Sequence, residues 1–258
     1  MGGTRLTVLD AVKVFAMIMM MQGHTLDSLV LADQLDISRF PWIVWFHIRG
    51  ATAPIFLTVS GILFTLTLRR RDNGSMQPAQ AKQRVRWAGV HMLIGYLLVF
   101  PAANVLDLPD VNAEGWKFFF QANILQLNAV ALSLITLLSL SVHKPVYLKR
   151  YAFLGAASIL VFTPWINHFP WFGLVPEFLA SFLSYEHGSY FPVFPYAAYM
   201  FFGAGIGVIV REAPVEQRAQ RLRDVALRSG ILLLLSGLVM LAIDCLLYTS
   251  PSPRDATL

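Results

Sequence analysis

One apolar segment, LTVLDAVKVFAMIMMMQGHTL (6–26), carries a carboxylate, an ammonium and an imidazole: Asp10, Lys13 and His24. Lys13 and His24 are eleven residues apart, three turns of a helix, so they share a face. Asp10 lies one turn before Lys13, at i,i+3 spacing that lets the two pair. An imidazole takes a proton near neutral pH and can attack as a nucleophile. Ionisable groups inside a lipid-spanning helix cost about 2.5–3.5 kcal/mol each, so they face a protein-lined cavity and mark function. A helix-end histidine bonded to a loop is the plainer account of His24.

Further polar groups recur at the ends of later apolar stretches. Arg49 opens HIRGATAPIFLTVSGILF (47–64). It either serves a site or snorkels at the interface. His47, two residues earlier, is a second candidate base. Ser60-Gly61 lies mid-span, where small residues let helices approach closely, and Ser60 is kept as a ligand-binding candidate. Arg84 and Arg86 in KQRVRW pattern as a phosphate clamp or as basic anchors. Gln121, Asn123, Gln126 and Asn128 begin another apolar run, lining a cavity or joining helices by hydrogen bonds. The stretch 168–189, with Trp171, Glu177, Tyr185, Glu186 and His187, offers rings and carboxylates to a sugar, or forms an interfacial aromatic belt. No Gly-rich phosphate loop, HExxH, GxSxG or Cys/His metal cluster occurs, so no metal is expected.

These groups need helices to hold them. The 258 residues are 56% hydrophobic and 14% charged, with mean hydropathy +0.59, well below the charge of a soluble domain. The composition reads as an all-α, polytopic transmembrane bundle forming one domain over 1–247. Seven stretches approach the length of a membrane span: 7–26, 51–68, 87–106, 123–142, 151–167, 190–210 and 229–247. The loops 69–86, 143–150 and 211–228 hold fourteen of the twenty Lys and Arg, while the alternate loops hold only Arg39, Arg49 and Lys117. By the positive-inside rule the basic loops and the N-terminus are cytoplasmic. Lys13 then lies in the cytoplasmic half of the first span and His24 about 16 Å further out. The net charge of +5 does not argue for nucleic acid, because it is spread over these short loops. The one cysteine, Cys245, excludes an internal disulfide. The closing LLYTSPSPRD resembles a translated sequencing adaptor, so 245–258 is expected to be a non-native tail. The native sequence is expected to be cut near Asp244, with further spans missing.

LDAVKVFAMIMMMQGH (9–24) resembles the first helix of the transmembrane acyltransferase superfamily, which includes acyltransferase-three proteins and heparan-α-glucosaminide N-acetyltransferase-like proteins. That pattern is Asp-x-x-Arg with a histidine eleven residues on, and Lys13 replaces the arginine here. RGATAPIFLTVSGILF (49–64) resembles the second-helix signature. SYFPVFPYAAYMFFGAGIG (189–207) resembles the PxFPW-type segment, with Tyr196 in place of tryptophan. The resemblance implies a bacterial inner-membrane enzyme moving an acyl group, acetyl above all, from cytoplasmic acyl-CoA to a glycan, amino sugar or glycolipid outside. It implies His24 as base or acyl carrier, with His47 as the alternative. Lys13 would hold the donor and Asp10 would orient Lys13. Arg49 would stabilise negative charge at the reacting carbonyl or bind the acceptor, and Arg84 and Arg86 would bind the CoA phosphates; Ser60, Asn123 and Gln126 are kept as further substrate-binding candidates on their own polarity. Bilayer, acyl-CoA and acceptor are the expected partners, and a homodimer stays open. A transporter or flippase of a small solute or lipid-linked sugar is the alternative, since intramembrane charges and interrupted helices suit it too. A retinal receptor fits seven spans, but the last span has no lysine for a Schiff base.

Overall fold

The computed structural model describes residues 6–30 and 39–249, with side chains through 239. Helices dominate, and no strand forms among the described residues. In chain order they are α1 (Thr7–Leu29), α2 (Trp42–Gly50), α3 (Thr52–Leu66), α4 (Pro78–Leu98), α5 (Ala113–Phe120) and α6 (Ile124–Ser141). There follow α7 (Pro145–His168), α8 (Glu177–Ala180), α9 (Val193–Glu212) and α10 (Arg218–Thr249). Among the described residues, four segments are long and apolar enough to cross a membrane: Trp42–Leu66 (α2 with α3), α6, α7 and α9. The all-α polytopic bundle is therefore as expected. Of the other three expected spans, α1, α4 and α10 have the length, at 23, 21 and 32 residues, but include charged residues.

Several boundaries differ from the pattern in the sequence. The third segment was expected at 87–106, but α4 starts at Pro78 and stops at Leu98. Proline fits the first helical turn, where its missing N–H has no partner to lose. Pro101 then blocks continuation, and Val105–Asp110 turns as a short 3-10 segment. The basic stretch 211–228 is mostly helical, because α10 runs unbroken from Arg218. The second span begins at Trp42, ahead of the expected residue 51. Of the expected non-native tail, 245–249 continue α10 and 250–258 lie outside the described residues.

The core sits where α3, α6, α7 and α9 meet, around Leu57, Phe64, Leu127, Ile135, Leu148 and Met200. The α3–α9 crossing depends on glycine. A Cβ on Gly61 would lie 2.7 Å from Ala204 N, one on Gly203 2.8 Å from the Thr58 carbonyl carbon, and one on Gly207 2.6 Å from Ile62 O. Gly203 and Gly207 are four apart, the spacing that brings two helix backbones together. The helix α1 buries Leu9, Ala16 and Gly23, seven apart on one stripe, and Leu9 packs with Val59 and Ile62 of α3.

Arginines close the end of the bundle where α3, α6 and α9 finish. Arg84 Nη2 donates to Phe64 O at 2.7 Å and Thr67 Oγ1 at 3.1 Å. Arg211 Nη1 donates to Thr65 O at 2.9 Å and also to Leu68 O. Arg70 Nη1 donates to Val142 O at 3.1 Å and His143 O at 2.9 Å. Cations here complement the negative ends of the helix dipoles and satisfy carbonyls that have no helical partner. Burial, and then the nearby Arg211, lower the Arg70 guanidinium from its ordinary value.

Candidate functional site

At the opposite end of the bundle a cavity of about 660 Å³ opens between α1, α2, α4, α6 and the start of α9. His24, Arg49, Asn123 and Gln126 all line it. These four come from three separate helices and one helix cap, so the fold brings together residues that lie up to about a hundred positions apart in sequence. The rest of the wall is largely aromatic and aliphatic, with Phe46, Phe118, Tyr190, Phe191 and Tyr196.

The helix α1 delivers His24 because its neighbour Gly23 is on the packing stripe, which turns the imidazole toward the cavity edge. The His24 carbonyl accepts from Ser28 Oγ at 2.8 Å, while its exposed imidazole makes no hydrogen bond to a described residue and leaves both ring nitrogens open at the cavity edge. Gly23 has a second task. A Cβ there would lie 2.8 Å from Arg49 Nε, so the missing side chain makes room for the arginine stem. Arg49 forms a two-point ion pair with Asp27, with Nη1 2.7 Å from Oδ1 and Nη2 bonded to Oδ2. Its guanidinium also lies 5.3 Å from the Trp45 ring centroid. Asp27 lines the same cavity and was not anticipated. Its signal in the sequence was its place one turn after His24, but its partner, 22 residues on, was not legible.

The other candidates fall elsewhere. Lys13 is half-buried, lies outside the cavity lining, and makes no ion pair with a described residue. Asp10 is half-buried and also outside the lining. His47 is exposed and turned back on its own helix, with Nδ1 2.7 Å from Ile43 O. Ser60 is half-buried beside Gly61 at the α3–α9 crossing, away from the cavity. Arg84 and Arg86 are not brought together. Two residues on a helix point about 200° apart. Arg84 thus faces inward over the Phe64 ring, 3.6 Å from its centroid, while Arg86 is exposed.

The segment 169–192 forms one wall of the cavity and is anchored to the start of α6. Gln121 Nε2 donates to His187 O at 3.0 Å, Ala122 N to Ser189 Oγ at 3.1 Å, and Phe191 N to Ala122 O at 2.8 Å. Within the segment, His187 Nδ1 donates to Glu177 Oε1 at 2.6 Å and its ring stacks 3.6 Å from that of Phe172. These bonds commit His187 and Glu177 to holding the segment in place. Burial, and then the adjacent Tyr196, push the Tyr185 hydroxyl above the ordinary phenol range. No group of His, Cys, Asp and Glu among the described residues is arranged to hold a metal ion.

One cavity of a helical membrane bundle thus gathers a histidine, an Arg–carboxylate pair and two carboxamides. The family model for the catalytic region of heparan-alpha-glucosaminide N-acetyltransferase matches residues 5–243, and the chain belongs to this family of transmembrane acetyltransferases. No curated protein and no solved structure matches it.

Proposed function

We propose that the chain transfers an acyl group, in the first instance acetyl, from cytoplasmic acyl-CoA to a hydroxyl or amine of a glycan, amino sugar or glycolipid on the outer side of a bacterial inner membrane. The observation that carries this reading is the unpaired His24 imidazole in a cavity shared with the Asp27–Arg49 pair and with Asn123 and Gln126. His24 removes the proton of the acceptor as its oxygen or nitrogen attacks the thioester carbonyl. Arg49, held by Asp27, binds polar groups of the acceptor, and the aromatic wall packs against its apolar face. Lys13, about 16 Å below His24, holds a polar group of the donor arm. At the basic end, exposed Arg86 offers its guanidinium to the CoA phosphates, and Arg84 supports it by fixing the end of α3. The basic end faces the cytoplasm in this orientation, as the positive-inside rule requires.

Membrane vesicles containing the chain, labelled acetyl-CoA and a panel of amino-sugar and glycolipid acceptors provide the test, with His24→Ala run beside the wild type. Transfer that is lost in His24→Ala at wild-type insertion levels supports the reading. Silence of the wild type, with no acetyl-CoA binding, refutes it and favours the transporter. Label retained on the protein without acceptor identifies an acyl-histidine route; its absence under rapid quench identifies direct transfer.

A further inference from the structure

The helix α6 begins at the cavity with its first turn uncapped. Asn123 occupies the cap position with extended backbone, φ −100° and ψ 173°, but its side chain makes no capping hydrogen bond. Asparagine at this position ordinarily accepts a bond from the N–H two or three residues on. Asn112 does so at the start of α5, accepting from Gly115 N at 2.8 Å. With Asn123 withheld, the N–H groups of Ile124, Leu125 and Gln126 have no partner among the described residues. All four residues, 123–126, line the cavity.

A second observation points to the same spot. Gln126 is fully buried, and neither its Oε1 nor its Nε2 has a hydrogen-bond partner among the described residues. A buried carboxamide left unmatched carries the full cost of its lost hydration, which a ligand in the cavity would relieve. Gly95 on α4 makes the space for it, since a Cβ there would lie 2.7 Å from both Cδ and Oε1 of Gln126. The 18-residue α6 also aligns its peptide dipoles so that its cavity end is positive. Three main-chain donors, one carboxamide donor and a positive helix end thus lie at one edge of the cavity, and no described residue answers them.

We propose that the start of α6, with the Gln126 carboxamide, is the oxyanion site of the transfer: it binds the carbonyl oxygen of the acyl thioester and holds the charge that develops there. This rests on the acyl-transfer reading. The acceptor lone pair forms a bond to the carbonyl carbon, and the C=O π pair moves onto oxygen beside the α6 N–H groups. His24 takes the acceptor proton. When the π bond re-forms, the C–S bond breaks, the thiolate leaves with its electron pair, and the proton on His24 passes to it. Such donors are worth most where charge develops during the reaction, because the ground-state carbonyl is neutral.

Asn123→Asp separates this role from a structural one. A carboxylate at the cap of α6 satisfies the helix start and complements its dipole, so a merely structural position keeps or gains stability and keeps full activity. An oxyanion site filled with its own negative charge loses transfer instead. We expect the variant to melt at or above the wild-type temperature, with kcat for acetyl transfer in vesicles reduced about 100-fold or more and KM for acetyl-CoA changed less than about threefold. Gln126→Leu, which removes one donor and fills the same volume with apolar atoms, is expected to lower kcat by about 100-fold. Undiminished kcat in folded Asn123→Asp and Gln126→Leu, beside an active wild type, overturns the oxyanion site and leaves the acyl-transfer reading intact. An inactive wild type refutes that reading and the proposal with it.

Discussion

Replacing Gly203 with alanine should separate α3 from α9, and the size of the effect can be worked from their geometry. The added Cβ would lie 2.8 Å from the carbonyl carbon and 2.9 Å from Cα of Thr58, with the carbonyl oxygen nearer still. Ordinary carbon–carbon contact is about 3.5–4.0 Å, so the backbones must part by roughly 1 Å. The obstacle is backbone rather than the end of a flexible side chain, so no rotamer change relieves it. Overpacking of this kind costs about 1–3 kcal/mol. For a chain of this size that corresponds to a melting temperature lower by about 2–12 °C. Gly89→Ala is the matched control, because nothing lies within 4 Å of a Cβ there and alanine is the better helix former. Thermal unfolding of both variants in the same detergent gives the answer. Equal melting temperatures for Gly203→Ala and Gly89→Ala would refute the close crossing. Because α9 carries Tyr196 into the cavity wall, transfer by Gly203→Ala should fall as well, while Gly89→Ala keeps it.

Asp27→Ala leaves Arg49 without its two-point partner, and Arg49→Lys cannot rebuild the fork. Each should raise KM for the acceptor several-fold, and a double-mutant cycle should show coupling of about 0.5–2 kcal/mol; additive effects would show that the pair does not act as a unit. Arg84→Ala removes two hydrogen bonds and the stacking on Phe64, so it should destabilise by about 1–3 kcal/mol in denaturant titration, whereas Arg86→Ala should leave stability within about 0.5 kcal/mol and raise KM for acetyl-CoA.

Periodicity and charge in the sequence made the bundle legible. The fourth segment, expected at 123–142, forms α6 at Ile124–Ser141, because its apolar run is bounded by polar residues on both sides. Boundaries failed where local and long-range signals conflict. The polar turns 78–86 read as loop, yet Pro78 and good helix formers extend α4 through them. Of the site, His24, Arg49, Asn123 and Gln126 were legible as polar groups in apolar surroundings, and they do meet in one cavity. Asp27 was passed over because it lies in the more polar end of its helix, and only the folded chain shows Arg49 beside it. The uncapped amides of α6 could not be read at all, since every residue carries an N–H and only tertiary structure decides which remain unpaired. Arg84 and Arg86 differ again: two charges one residue apart suggested one clamp, and helical geometry points them to different sides.

The arginine closures also set an order of assembly. The last turn of α3 is completed by Arg211, which bonds Thr65 O from 146 positions further along the chain. Thr65 O already accepts from Leu68 N, so before α9 is made the end of α3 holds its own turn but lacks the arginine that ties it down. The later helix thus arrives as the cork for the earlier one, and a chain ending before α9 lacks that closure.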